Sequence, residues 1–128
     1  LRAHELLRSE QTSLIAGDFN IIPQTEDAAT PEAWKNDALF KLESRAKFRK
    51  ILNLGFLDAF RACNDGSGHY SFWDYQAGAW DRNDGIRIDH FLLSPNCADL
   101  LTNCKIDSDI RAREKPSDHV PICIELNV

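Results

Sequence analysis

The sequence predicts an α/β fold, a mixed or mostly antiparallel sheet with helices on one face. Apolar runs of strand length recur along the chain, at 14–16, 86–94 and 120–126. Between the first two, 44–54 (SRAKFRKILNL) places Phe48, Ile51 and Leu52 on one helical face. The run 86–94 carries Ile88, Phe91, Leu92 and Leu93, apolar on both faces, as a central strand covered from both sides requires. A chain of 128 residues is one domain by length and can bury a real core.

In order, 1–11 (LRAHELLRSEQ) spaces Leu1, Leu6 and Leu7 among charges and reads as a helix. The strand 14–16 ends at Gly17, where a turn exposes Asp18 and Asn20. Residues 23–37 are polar and irregular until Pro31 and Glu32, which suit the first turn of a short helix carrying Trp34. Ser44 is the expected N-cap of the helix 44–54, and Gly55 stops it. Residues 57–61 read as a further helical turn and 64–68 (NDGSG) as a loop. Strands are expected at 69–73, 86–94 and near 105–110, with a short helix at 96–101. The last strand alternates Val120, Ile122, Ile124 and Leu126 against Pro121, Cys123, Glu125 and Asn127.

At 43% hydrophobic and 27% charged, the composition is that of an ordinary globular chain, and no apolar run approaches membrane-spanning length. Cys63, Cys97, Cys104 and Cys123 are scattered without a CxxC pair, which argues against a zinc or redox motif. Buried free thiols in a reducing, cytoplasmic setting are the expected reading. The net charge of −5 lacks the basic signature of nucleic-acid binders. A metal site concentrates acids, however, and its cation reverses the local field, so the balance neither supports nor excludes such a partner.

Chemistry concentrates in two strings, Gly17-Asp18-Phe19-Asn20 and Pro116-Ser117-Asp118-His119, with a third acid at Asp89. Strand ends presenting carboxylate, amide and imidazole suit metal-assisted attack of water on a phosphate. Asp18 and Asn20 lie two apart, so on extended chain they point to the same side. An Asx turn that merely ends the strand is the plainer alternative. Asp118 and His119 are neighbours and face opposite ways, so the carboxylate partner of His119 must come from elsewhere; otherwise His119 is only a turn histidine. His4, His69 and His90 sit in no such context and read as structural.

These strings, with LIAGDFNIIP (14–23), GFLDAFR (55–61), HYSFWDYQAGAWDRNDGIRIDHFLLSP (69–95) and EKPSDHVPI (114–122), resemble the exonuclease III family of abasic-site endonucleases, within the endonuclease/exonuclease/phosphatase superfamily. Members are about twice this length, so the resemblance implies that 1–128 is the carboxy-terminal half of a DNase I-like four-layer α/β sandwich. The chain contains no methionine and reads as a piece of something longer.

The implied activity is magnesium-dependent hydrolysis of double-stranded DNA, with manganese as the alternative metal. Asp18 and Asn20 would manage the attacking water, Asp89 would fix His119, and Asp118 with Asp18 would hold the metal. Phe72, Trp73 and Ile88 resemble the pocket for a flipped abasic sugar, though aromatics at strand spacing are more often core. Asn83 and Arg87 would contact backbone phosphate, with Gly85 allowing close approach. The principal metal glutamate would lie in the missing amino-terminal half, so the isolated chain is expected to be inactive. It is also expected to pair through a bare sheet face, with that half or with a second copy. The same superfamily holds phosphoinositide phosphatases and sphingomyelinases, which share the GDxN and SDH elements. A non-catalytic binding module is the remaining alternative.

Overall fold

The strand β3 (Asp89–Leu93) organises the computed structural model, which describes residues 2–76 and 78–128. It lies between β1 (Leu14–Asp18) and β2 (Leu57–Asp58), antiparallel to both. A second antiparallel pair joins β4 (Leu101–Ile106) to β5 (Ile122–Leu126). The helices are α1 (Arg2–Arg8), α2 (Pro31–Trp34), α3 (Leu42–Leu54), α4 (Ala59–Cys63) and α5 (Pro95–Ala98). The fold is thus the expected antiparallel, partial α/β sandwich. Leu1, an expected member of the first helix, lies outside the described residues.

Neighbouring residues on β3 serve opposite faces. Leu92 enters a cluster with Ala3 of α1, Phe48 of α3 and Phe56, flanked by Ile15, Phe19 and Ile51. Leu93 enters another, with Ala59, Phe60, Cys97 and Cys104. Both leucines are fully buried, as the two-sided apolar pattern requires. Phe91, Ile122, Ile124 and Leu126 pack partly buried around the Leu93 cluster. The sheet face expected to be bare is therefore largely covered by α4, α5 and β5. Its exposed remainder includes Leu14 (41%) and Leu57 (36%), which flank Leu93 in register.

The structure departs from the sequence reading at several boundaries. Helix α3 starts at Leu42 after Lys41, because Asp37 caps a 3-10 turn over Ala38–Phe40 that delivers the chain two residues earlier. Ser44 is not the cap; its Oγ donates to the Ala38 carbonyl at 2.9 Å. Gly55 does end α3, at φ 128°. Residues 57–61 split into β2 and the start of α4, which Asp58 caps by accepting from the Arg61 N–H. No continuous strand forms at 69–73, where Phe72 makes single bridges to Ile86 and His119. Residues 105–110 give only the end of β4 before a 3-10 segment, Ser108–Ala112, and α5 stops at Ala98.

Candidate active site

Asp18 ends β1 and Asp89 begins β3, and the two are paired directly across the ladder. Opposed residues of an antiparallel pair share a face, so two carboxylates meet there, a like-charge contact that costs energy unless something lies between them. His119 is that group. Its Nδ1 bonds Asp89 Oδ2 at 2.8 Å, and its Nε2 lies 3.7 Å from Asp18 Oδ2. With Nδ1–H donated to Asp89, the ring's orientation and tautomer are fixed and Nε2 is turned toward Asp18. Ligand atoms of the three residues fall within 4.8 Å of one another. At 3.7 Å the Nε2–Oδ2 gap is too long for a direct hydrogen bond, yet one oxygen about 2.8 Å from each atom fits beside them.

Local backbone chemistry explains this convergence. Gly17, in β1, holds φ 143°, a value that disfavours side chains. Asp18 Oδ1 accepts from the Asn20 N–H at 2.9 Å, so the Asx turn is real while Oδ2 still faces His119. Asn20 adopts φ 52°; extended alternation ends before it and does not by itself align its side chain with Asp18. His119 arrives through a short ladder in which Trp73 N–H donates to Asp118 O and Val120 N–H to Ser71 O. The buried Ser71 Oγ accepts from Ile88 N–H at 3.1 Å and Asp89 N–H at 3.2 Å. Ser71 thus ties the segments bearing Asp89 and His119 together. Ser117 Oγ accepts from His119 N–H at 3.1 Å. Ser71 was not visible as a site residue in sequence, since its bonds depend on long-range pairing, and Ser117 stood in the Pro116–His119 string without a role of its own.

A hard divalent cation fits the exposed Asp18 carboxylate. Magnesium needs only one or two protein carboxylates and retains waters, whereas Asp89 and His119 are engaged with each other. Asp118 lies outside the three-residue cluster, with its carbonyl accepting from Trp73.

The expected substrate contacts divide. Phe72 is half-buried, its ring edge-on to His119 at 5.1 Å, and it helps line a cavity of about 410 Å³ with Trp34, Ile86 and Arg82. Trp73 and Ile88 do not share such a wall. Each is buried, Trp73 with Tyr70 and Val120, Ile88 with Ile22, Ala28 and Phe40, so apolar packing has claimed both. Asn83 is exposed, but its Oδ1 accepts from Trp73 Nε1 at 3.1 Å. Gly85 permits a close approach within the protein: a Cβ there would sit 2.7 Å from Trp73 Nε1.

Arg87 corrects the expectation of a phosphate contact. It is 1% exposed; its Nε donates to Asp27 Oδ1 and its Nη2 to Asp58 Oδ2, each at 2.8 Å. Arg61 bonds the same Asp27 carboxylate. Burial would depress the Arg87 pKa, but the hydrogen bonds and charges of Asp58 and Asp27 outweigh it and push the pKa up. His90 completes the network, with Nε2–H donating to Ile21 O at 2.9 Å and Nδ1 accepting from Arg87. Burial, aided by the Arg87 charge, pushes His90 down to about 4.

The model of the endonuclease/exonuclease/phosphatase family matches residues 1–119. An exodeoxyribonuclease of Bacillus subtilis is 36% identical over 123 residues, covering 95% of this chain and 47% of the relative. The 3′-5′ exonuclease NExo of Neisseria meningitidis superposes with a TM-score of 0.91 at 33% identity, over 98% of this chain and 49% of that one. An AP endonuclease of Archaeoglobus fulgidus gives a TM-score of 0.90 at 34% identity, over 99% and 51%. The chain spans about half the length of the relatives it matches. With an Asp–His pair facing a second carboxylate at a strand end, and a family match running through His119, the chain belongs to the endonuclease/exonuclease/phosphatase family.

Proposed function

We propose that this chain is the half of a DNA phosphodiesterase domain that carries the water-activating and charge-stabilising groups. The activity is cleavage 5′ to abasic sites together with 3′-to-5′ exonuclease and 3′-end trimming. The observation that carries this reading is the Asp89–His119 bond with Asp18 directly opposite. The names of the relatives, an exodeoxyribonuclease, a 3′-5′ exonuclease and an AP endonuclease, favour DNA over a small phosphoester.

Asp18 orients and deprotonates the attacking water, helped by Asn20. As the water oxygen bonds phosphorus and the P–O bond to the leaving group breaks, charge builds on the non-bridging oxygens. His119 Nε2, held by Asp89, meets that charge. Asp18 would hold magnesium, or manganese, which supplies charge neutralisation and a readily ionised water when bound, and Asp118, outside the cluster, would not share that ion. Phe72 and its cavity would receive the abasic sugar, and Asn83 the flanking backbone.

The remainder of a domain of about twice this length would cover the exposed strip at Leu14 and Leu57 and complete the metal site, so the chain alone is inactive. A whole domain containing this chain, assayed with abasic duplex and with inositol phosphates, tests the reading. Cation-dependent cleavage of the duplex alone supports it. Turnover of the inositol phosphates alone would assign the phosphatase branch, and an inert domain that binds DNA would mark a binding module.

A further inference from the structure

The face of the β1–β3–β2 sheet that packs on α1 and α3 carries a second concentration of charge. Asp58 pairs with Leu92 in register, so it shares a face with His90 and lies opposite the face of Asp18 and Asp89. Between α3 and the segment after β1 is a cavity of about 90 Å³ lined by Arg45, Arg49, Arg61 and Arg87, with Asp58 itself in the wall. The carboxylates bonded to these arginines, Asp27 and Asp58, already accept from Arg61 and Arg87. Arg45 lies over the Phe40 ring at 4.4 Å, which fixes its plane without using its N–H groups. The Nε atoms of Arg45 and Arg61 are buried and meet no hydrogen-bond partner among the described residues. Both arginines line the cavity beside Arg49 and Arg87, and a wall of guanidiniums suits an anion.

We propose that this cavity binds one tetrahedral oxyanion, either inorganic phosphate or the phosphate of a nucleotide monoester. Liquid water takes about 30 Å³ per molecule, so the cavity has room for about three waters or a single phosphate group. Four guanidiniums against two carboxylates leave two positive charges, which match a phosphate dianion. Guanidinium forks suit oxyanion geometry, and the stacked Arg45 is already oriented. The site lies across the sheet from His119, so it is separate from the proposed hydrolytic centre.

Calorimetric titration of this chain with phosphate, at ionic strength held constant with chloride, tests the site. One saturable event is expected, with a matching phosphate-dependent rise in Tm. Arg49 is exposed, and Arg49→Gln should weaken phosphate binding about tenfold or more while leaving the phosphate-free Tm in place. Arg45→Gln should do the same. His119→Ala should change phosphate affinity by no more than about twofold, because distant sites act independently. Displacement of phosphate by a 5′-mononucleotide would identify the monoester as the occupant, and failure to displace it would identify the free ion. Absence of saturable binding over chloride, wild-type affinity in both arginine variants, or loss of binding in His119→Ala would each overturn the proposal. None of these outcomes depends on whether the whole domain cleaves DNA.

Discussion

Replacing Arg87 with Met separates a structural arginine from a DNA-binding one. In the fold, one guanidinium bridges Asp27, which is fully buried, and Asp58, which is 8% exposed. Removing it leaves Asp27 with Arg61 and Asp58 with only the Arg61 backbone N–H among these partners. Breaking a buried ion pair by deleting one member costs about 3–5 kcal/mol, because the remaining charge is stranded. For a chain of this size that is a fall in Tm of about 10–20 °C. The same change should leave the salt dependence of DNA binding by a whole domain unaltered, since a buried guanidinium neutralises no phosphate. Adding Asp58→Asn should recover part of the loss, as the stranded charge is removed with its partner. The assays are thermal melting by circular dichroism and DNA titration at several salt concentrations. A variant with wild-type Tm and a salt slope reduced by about one would refute the structural reading and restore the phosphate contact.

Other outcomes follow from the same contacts. His90 is held near 4 in the fold against 6.5 when unfolded, so between those values the unfolded chain binds more protons and stability falls as pH drops. The loss is about 3 kcal/mol, measurable by urea melts at pH 7 and pH 4.5, and His90→Phe should flatten it. Asp58 adds to the decline at lower pH: burial raises its pKa, but Arg87 outweighs this and holds it below 3.8, so its contribution is lost only under stronger acid. Gly85→Ala places a methyl 2.7 Å from both Trp73 Nε1 and Tyr70 Cβ and should cost about 1–3 kcal/mol with a change in tryptophan emission. Asp89→Asn in a whole domain should lower cleavage by about 10²–10⁴-fold, because His119 loses its orienting carboxylate. Its Tm should hold or rise, since one of two facing carboxylates is neutralised.

Much of the site could be read from residue order alone. Alternation on a strand shows that Asp118 cannot serve His119, and Asp89 sits inside the one run, 86–94, that is apolar on both faces. Asn20 escaped the same logic because its positive φ ends the extended segment, a choice governed by the Asp18 Asx turn. The aromatic run at 70–73 alternates like a strand, yet close packing of Trp73 and Tyr70 against Gly85 leaves only single bridges there. Arg87 misled because the resemblance set it beside Asn83 as a phosphate contact, while the fold buries it. Its true partners, Asp27 and Asp58, are 60 and 29 residues distant in sequence. Ser44 failed as a cap because Asp37 organises an earlier turn. In each case a long-range contact or a neighbouring turn overrode a sound local preference.

The central claim is that Asp18, Asp89 and His119 act on one phosphodiester. Single-turnover cleavage of abasic duplex by a whole domain containing this chain, with a divalent cation, tests it most directly in Asp18→Asn and His119→Ala. Both variants should bind the duplex as well as the parent and lose cleavage by two or more orders of magnitude. Parental cleavage rates in both variants would contradict the account.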